Sequence, residues 1–401
     1  MIAMPIEKAN GGRPPRLLLL SSEFPPGPGG IGIHAYQLAR HLSRLGWDVD
    51  VLSPQEYVSA AERDAFNRQQ PFVITPLPGR EAGRGWWAGR LRTVAGAVRA
   101  RRPDVLLGTG RRALWLAAAV HALTGIPWAA VGHGSEFTGA GRSAALTRRT
   151  LGSAATVIAV SDYTAGLIRA AANPRHLVVI PNAADGARFR PGIDAAALRH
   201  RWELGNGPVL LTVGQVSERK AQDTVIRALP RVLAHYPNAT YIMAGLPKQE
   251  AAFGALAAEL DVAELVRFAG LVADDELAAV FNLADVFVLM SRRTAAGDVE
   301  GYGIVVQEAA LCGVPAVVSR DCGLEEAIRD GETGLSAPPD DPAATAAAIL
   351  SLLDDPDRRR AMGRRAREVA LAATWAERVA AYDRELRTLL PAPQSAAGEV
   401  S

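Results

Sequence analysis

Cysteine is almost absent: Cys312 and Cys322 are the only two in 401 residues. That excludes a disulfide framework and fits a reducing cytosol, and neither cysteine has the company of a metal ligand, so both read as structural. An excess of charge is missing too, with 44 Lys and Arg against 42 Asp and Glu. A net charge of +2 gives no global attraction to nucleic acid. Long apolar runs are lacking. Residues 1–16 hold no signal core, Leu17–Leu20 is too short to be one, and the stretch Ala113 to Leu123 contains His121 and is too short to span a bilayer. The expectation is a cytoplasmic protein, at most peripheral on the inner face of a membrane. Apolar residues are plentiful at 49%, enough for packed cores, and the length calls for two domains. No internal repeat is visible.

The most informative stretch is Gly297 to Pro315, GDVEGYGIVVQEAALCGVP. Its first half is an acidic loop. Its second half, Ile304 to Cys312, is apolar on every side of a helix except at Gln307 and Glu308, and such a helix is normally buried. Glu308 is then a carboxylate in a core, costly unless something donates to it. Either an internal protein donor or a pair of vicinal sugar hydroxyls would satisfy it. Glu300 lies in the loop ahead, and Gly301 and Gly303 let backbone N–H groups approach a ligand at the helix start. Glu300–Glu308, written EGYGIVVQE, resembles the E-x7-E motif of the retaining glycosyltransferases of family 4, which have the GT-B fold. The resemblance implies that Glu308 holds the ribose of a donor nucleotide and that Glu300 lies at the donor sugar. It also places Gly301, Tyr302, Gly303 and Ile304 at the donor.

In the first half, Leu17–Ser21 reads as a buried strand followed by a glycine-rich turn and a helical pattern from Tyr36 to Leu45. Gly27, Gly29 and Gly32 match G-x-G-x-x-G, a dinucleotide fingerprint. Pro25, Pro26 and Pro28 remove donors a pyrophosphate would need, and the expected acid after the strand Val49 to Leu52 is poorly placed, with Glu56 nearest. The run PPGPGGIGIHAYQLARHL is similar to the family's first loop and helix, which implies that Gly29 and Gly30 approach the donor phosphate across a cleft. His34 reads as a structural helix-face residue. Asp48-Val49-Asp50 spells the D-x-D of another transferase class, here in an alternating strand where both carboxylates share one face and solvate together. Arg80 to Arg102 carries seven arginines against Glu81, with Trp86 and Trp87 adjacent. Such a helix lies on an anionic membrane surface or is a solvated face with Trp in the core. His133, Gly134 and Glu136 match the family's H-G-x-E loop, implying that His133 sits beside the donor sugar. PNAADGARFRP, 181–191, looks like the crossing between domains.

In the second half, the strand Val209–Val213 is followed by GQVSERKA. The family pattern at this turn is Gly-Arg, four residues, then Lys-Gly. Gly214 and Lys220 fit; Gln215 stands where the Arg is expected and Ala221 where the second Gly is. The resemblance implies that Lys220, just ahead of the helix Gln222 to Leu229, faces a leaving diphosphate; Arg219 and Arg292 are this chain's own candidates to replace the missing arginine. It also sets the backbone around Phe268 by the nucleobase. Cys322 and Glu325 replace an expected Gly and Pro. Trp375, Val379, Tyr382, Leu386 and Leu389 follow the spacing of an amphipathic helix, which in this family returns to the first domain.

The expected fold class is α/β: GT-B, two doubly wound, Rossmann-like domains facing a cleft. The first, 1–190, binds the acceptor, and the second, 191–370, binds the sugar nucleotide. A returning helix, 371–390, and a disordered tail, 391–401, follow. The implied function is retaining transfer of a sugar from GDP-mannose or a UDP-sugar to a hydroxyl of a glycan, glycolipid or small molecule, with no cofactor and no metal. Three alternatives stay open: a nicotinamide (NAD-dependent) dehydrogenase on the Gly27–Gly32 match, a weak or inactive sugar-nucleotide-binding protein on Gln215, and a phosphorylase or epimerase of the same fold.

Overall fold

Short apolar runs become strands, the central ones buried on both faces, and every pairing between the described strands is parallel. The computed structural model describes residues 13–79, 85–139 and 141–391. The first lobe contains β1 (Arg16–Ser21), β2 (Asp48–Ser53), β3 (Val73–Pro76), β4 (Val105–Thr109), β5 (Trp128–Gly132), β6 (Thr156–Ala159) and β7 (Leu177–Val179). The second contains β8 (Val209–Val213), β9 (Thr240–Ala244), β10 (Val266–Gly270), β11 (Val286–Leu289), β12 (Ala316–Ser319) and β13 (Gly334–Ala337). The spatial orders are β3-β2-β1-β4-β5-β6-β7 and β10-β9-β8-β11-β12-β13.

Each order reverses once, between β1 and β4 and between β8 and β11. Open α/β sheets bind ligands beyond the carboxyl ends of the strands at such a switch point. The loops that begin there are the glycine turn after β1, the His133 loop one strand further on after β5, and the Lys220 turn after β8. Topology alone therefore collects the residues singled out by sequence.

One apolar cluster runs through both lobes, from Leu17 and Leu38 to Leu289 and Leu386. The last helix, Trp375–Arg387, is capped by the Thr374 hydroxyl and buries Trp375, Val379, Tyr382 and Leu386. It lies against the first helix, Gly30–Arg44, with Trp47 Nε1 donating to Asp383 Oδ1 over 2.6 Å. The returning helix is thus a strap between lobes.

Several local expectations change. The first helix starts at Gly30, six residues before Tyr36. Asp48 and Asp50 do not solvate together: Asp50 is buried, and Arg101 donates to Asp50 Oδ2 at 2.6 Å and to Asp48 Oδ1 at 3.1 Å. Of the basic run, Arg80, Glu81 and Arg84 lie outside the described residues, as do residues 392–401 of the tail. The helix Trp86–Arg101 turns Arg90 inward, where its Nε donates to Pro78 O at 2.7 Å and its guanidinium lies 4.7 Å from the Trp86 ring. Among the described residues no helix is long and apolar enough to cross a membrane.

Candidate active site

The second lobe supplies a cation pair. After β8 the chain passes Gly214, at φ 144°, into a 3-10 turn, Glu218–Lys220, that precedes the helix Gln222–Leu233. The Lys220 stem crosses Gly214, where an added Cβ would come within 3.2 Å of Lys220 Cε. Glycine is needed there both for its backbone and for the lysine's path. Lys220 is buried, and its Nζ lies 2.7 Å from Glu300 Oε2, an oxygen that Arg219 Nη1 also contacts. Burial would raise the Glu300 pKa, but Lys220 and Arg219 outweigh it and hold the group at about 2. Burial lowers the Lys220 pKa, and Glu300 opposes that shift. Ala221 takes the left-handed φ of 50° that the expected glycine would adopt without strain.

Glu300 opens the loop that leads into the helix Ile304–Leu311. Gly303, at φ 81°, sits at the helix N-cap, packed so closely that an added Cβ would meet Leu324 Cδ2 at 2.4 Å. Within the helix, Glu308 is buried and its carboxylate accepts no hydrogen bond from the described residues. Burial raises its pKa to about 7, partly opposed by Arg188, which is itself paired to Asp274. An unpaired buried carboxyl is costly. Of the two readings left open by sequence, an internal partner is the one this geometry lacks.

The first lobe meets this loop directly. Ser135 Oγ donates to Val299 O and accepts from Val299 N, both at 3.0 Å, and Ser161 Oγ donates to Gly301 O at 2.6 Å. Glu326 reaches back from the second lobe, its carboxylate accepting from Asp162 N at 2.7 Å and Tyr163 N at 2.6 Å at the start of the helix Asp162–Ala171. A cavity of about 380 Å³ opens between Tyr163 and Leu167 on one side and Glu300 and Cys322 on the other.

His133 follows β5. Its Nε2 is 2.7 Å from Thr109 Oγ1, and its backbone N donates to Glu136 Oε2 at 3.2 Å. Glu136 therefore braces its own loop. Burial depresses the His133 pKa to about 4, against a smaller opposing effect of Glu300, so the ring is neutral near pH 7. It offers hydrogen bonding, with no positive charge.

The remaining predicted residues are placed as follows. Gly29, at φ 146°, lies over Glu23, whose Oε2 would be 2.0 Å from an added Cβ; Gly30 is open on that side. Gln215 contributes its carbonyl to Gln222 Nε2 at 3.0 Å. Arg292 is engaged by Asp223 at 2.8 Å and Asp340 at 2.5 Å, whereas Arg219 shares Glu300 with Lys220, so Arg219 is the arginine that joins Lys220. Tyr302 and Ile304 turn their side chains into the core, leaving backbone for a ligand. Phe268, on β10, packs against the second-lobe core. His34 is fully buried, 5.0 Å from His133 between ring centroids. Sequence reasoning gave no part to Thr109, Ser135, Ser161, Glu23 or Glu326; Thr109 and Glu23 are brought in by packing within the first lobe, and Ser135, Ser161 and Glu326 by the apposition of the two lobes.

Comparison with known proteins agrees with this geometry. The family model for "Glycosyltransferase Family 4" matches residues 28–188, and that for "Glycosyl transferases group 1" matches 196–369. A GDP-mannose-dependent alpha-(1-6)-phosphatidylinositol monomannoside mannosyltransferase of Mycolicibacterium smegmatis is 33% identical over 383 residues, 88% of this chain and 94% of that one. A glycogen synthase of Mycobacterium tuberculosis is 32% identical over 386 residues, 88% of this chain and 89% of that one. Among solved structures, Anabaena Alr3699/HepE in complex with UDP and glucose superposes with a TM-score of 0.79 at 20% identity, over 93% of this chain and 99% of that one. Two parallel-sheet lobes of GT-B architecture, both family models and these relatives together show that the chain belongs to the family 4, group 1 glycosyltransferases.

Proposed function

We propose that the chain transfers mannose from GDP-mannose to a hydroxyl of a glycolipid, with retention of anomeric configuration and without a metal ion. The observation that carries the reading is Glu308: a buried carboxylate with no protein donor, one helix away from a carboxylate flanked by two cations. A ribose diol offers two O–H donors to such a group. Lys220 and Arg219 then face the diphosphate and stabilise it as it departs. Glu300 and the neutral His133 are hydrogen-bonding partners for the sugar hydroxyls. With no nucleophilic side chain assigned, the acceptor hydroxyl attacks from the face the diphosphate leaves, and the leaving phosphate takes its proton. Rate enhancement rests on orientation and preorganised charge. The choice of mannose and of a lipid acceptor draws on the relative from Mycolicibacterium smegmatis. A second reading, glucosyl transfer onto a glucan, draws on the likeness to the glycogen synthase.

A thermal-shift screen with GDP, UDP, ADP and dTDP separates the two. Binding raises stability by RT ln(1 + [L]/Kd), about 2.7 kcal/mol at a hundredfold excess over Kd. GDP is expected to give the largest shift. A shift with UDP or ADP alone would transfer support to the glucosyl reading. Product NMR then reports the anomer, and turnover in EDTA reports metal dependence.

A further inference from the structure

Four aromatic side chains from three parts of the chain, His34, His133, Trp375 and Tyr382, meet at the His133 loop. His34 comes from the first helix and Tyr382 from the last. His34 Nε2 lies 3.0 Å from Tyr382 Oη. The His34 ring stands at 83° to the His133 ring, with centroids 5.0 Å apart, and Trp375 closes the group at 5.8 Å. The second His34 nitrogen, Nδ1, is buried without a conventional partner. One ring nitrogen thus satisfies the buried Tyr382 hydroxyl, while the other is left unpaired, which is unfavourable. What that geometry does provide is an aromatic edge directed at a neighbouring ring, an arrangement preferred between aromatic pairs.

His133 is thus held from two directions. Thr109 Oγ1 meets it at Nε2, and the His34 ring packs against it nearly at a right angle. Tyr382 is the only hydrogen-bonding side chain that His34 has among the described residues, and it arrives on the strap that follows the second lobe. We infer that His34, oriented by Tyr382, is a positioning residue that sets the His133 ring against the donor sugar, so that docking of the last helix completes the active site. The inference rests on the proposed role of His133.

Two measurements test it. In protein carrying 15N-labelled histidine, with His133 assigned by its loss in His133→Gln, Tyr382→Phe is expected to shift the ring nitrogens of both His34 and His133. An unmoved His133 signal would overturn the inference, whatever the donor proves to be. In GDP release from GDP-mannose, Tyr382→Phe and His34→Gln are each expected to lower kcat about tenfold with donor KM unchanged, because small misplacements of a positioned group are felt in turnover. Adding Tyr382→Phe to His133→Ala should cost nothing more. Full additivity, or a kcat unaffected by both substitutions, would show that the path does not run through His133. If His133→Ala itself keeps wild-type turnover, the assigned role of His133 fails instead. Should Tyr382→Phe not fold, His34→Gln, which retains a group able to bond Tyr382, carries both measurements.

Discussion

Glu300 and Glu308 lie eight positions apart in one loop and helix, and the protein holds their carboxyl groups at opposite ends of the range, at about 2 and about 7. Glu308 is buried and Glu300 is largely so; the difference is that two cations reach Glu300 and no described residue donates to Glu308. Their pH signatures are therefore opposite. Glu300, with a depressed folded pKa, contributes stability above its ordinary 4.5 that is lost as pH falls towards 2. Glu308, with a raised folded pKa, favours folding most below 4.5, and that contribution is lost as pH rises through about 7. Glu308→Gln should accordingly gain on the wild type between pH 5 and 8, by on the order of 3 kcal/mol, in urea titrations. With the proposed role of Glu308 at the ribose, the same change should weaken nucleotide binding by roughly 1.5–3 kcal/mol through loss of a charge-assisted bond. Stability curves that stay parallel across this range would show that Glu308 is solvated or paired.

The cation pair separates the roles of neighbouring residues. Lys220→Ala is expected to cost roughly 2.7–4 kcal/mol of transition-state stabilisation, read as kcat. Arg219→Ala should cost turnover as well, because Arg219 shares Glu300 with Lys220 whereas Arg292 is committed to Asp223 and Asp340. Gln215→Arg supplies the guanidinium at the position where the family pattern has it. It should restore activity to Arg219→Ala while adding little to the wild type. No rescue would mean that Arg219 only neutralises Glu300.

How far the sequence reached is clearest in these same residues. The central strands were legible because each is an apolar run buried on both faces, and the helix Ile304–Leu311 because it is apolar except at Gln307 and Glu308, whereas the half-exposed strand Val73–Pro76 and the short Gly334–Ala337 gave no such signal. Both properties are local. The contacts Ser135–Val299, Ser161–Gly301 and Glu326–Asp162 were not legible, since each joins residues more than a hundred positions apart through polar groups common in any loop. The inward turn of Arg90 was hidden for another reason: its helix has arginines on several faces, and no periodicity marks which one packs against Trp86. The pairing of Asp48 with Asp50 was read correctly as one-faced, but the helix that lays Arg101 over that face is set by tertiary packing.

The helix Trp86–Arg101 retains a surface suited to lipid. Leu91, Arg92 and Arg99 are exposed, and Trp86 and Trp87 are half-buried with centroids 5.2 Å apart. A basic residue near an anionic surface is worth about 1 kcal/mol, screened by salt. Co-sedimentation with anionic vesicles is expected at low salt, to weaken with Arg92→Glu and Arg99→Glu, and to vanish at high salt. No enrichment at low salt would leave this face simply solvated.

Gly301 tests closure apart from folding. An added Cβ would lie 1.8 Å from His133 O and 3.1 Å from Thr164 Oγ1, both in the first lobe, while Gly301 does not adopt a positive φ. Its own backbone therefore accepts alanine, and the collision is with the opposite lobe. Gly301→Ala should fold, keep Glu308 available to the nucleotide, and hold the lobes apart, giving a larger radius of gyration in X-ray scattering. Breaking the contacts of Ser161 and Ser135 to this loop separates His133 from Glu300 and admits water, so turnover should fall by about a hundredfold or more while GDP affinity changes little. Gly323→Ala is the contrasting substitution: its Cβ would strike Gly301 O at 2.0 Å within the same lobe, so it should impair nucleotide binding as well. If Gly301→Ala matched the wild type in turnover, the apposition of the two lobes at this loop would not be the reacting state.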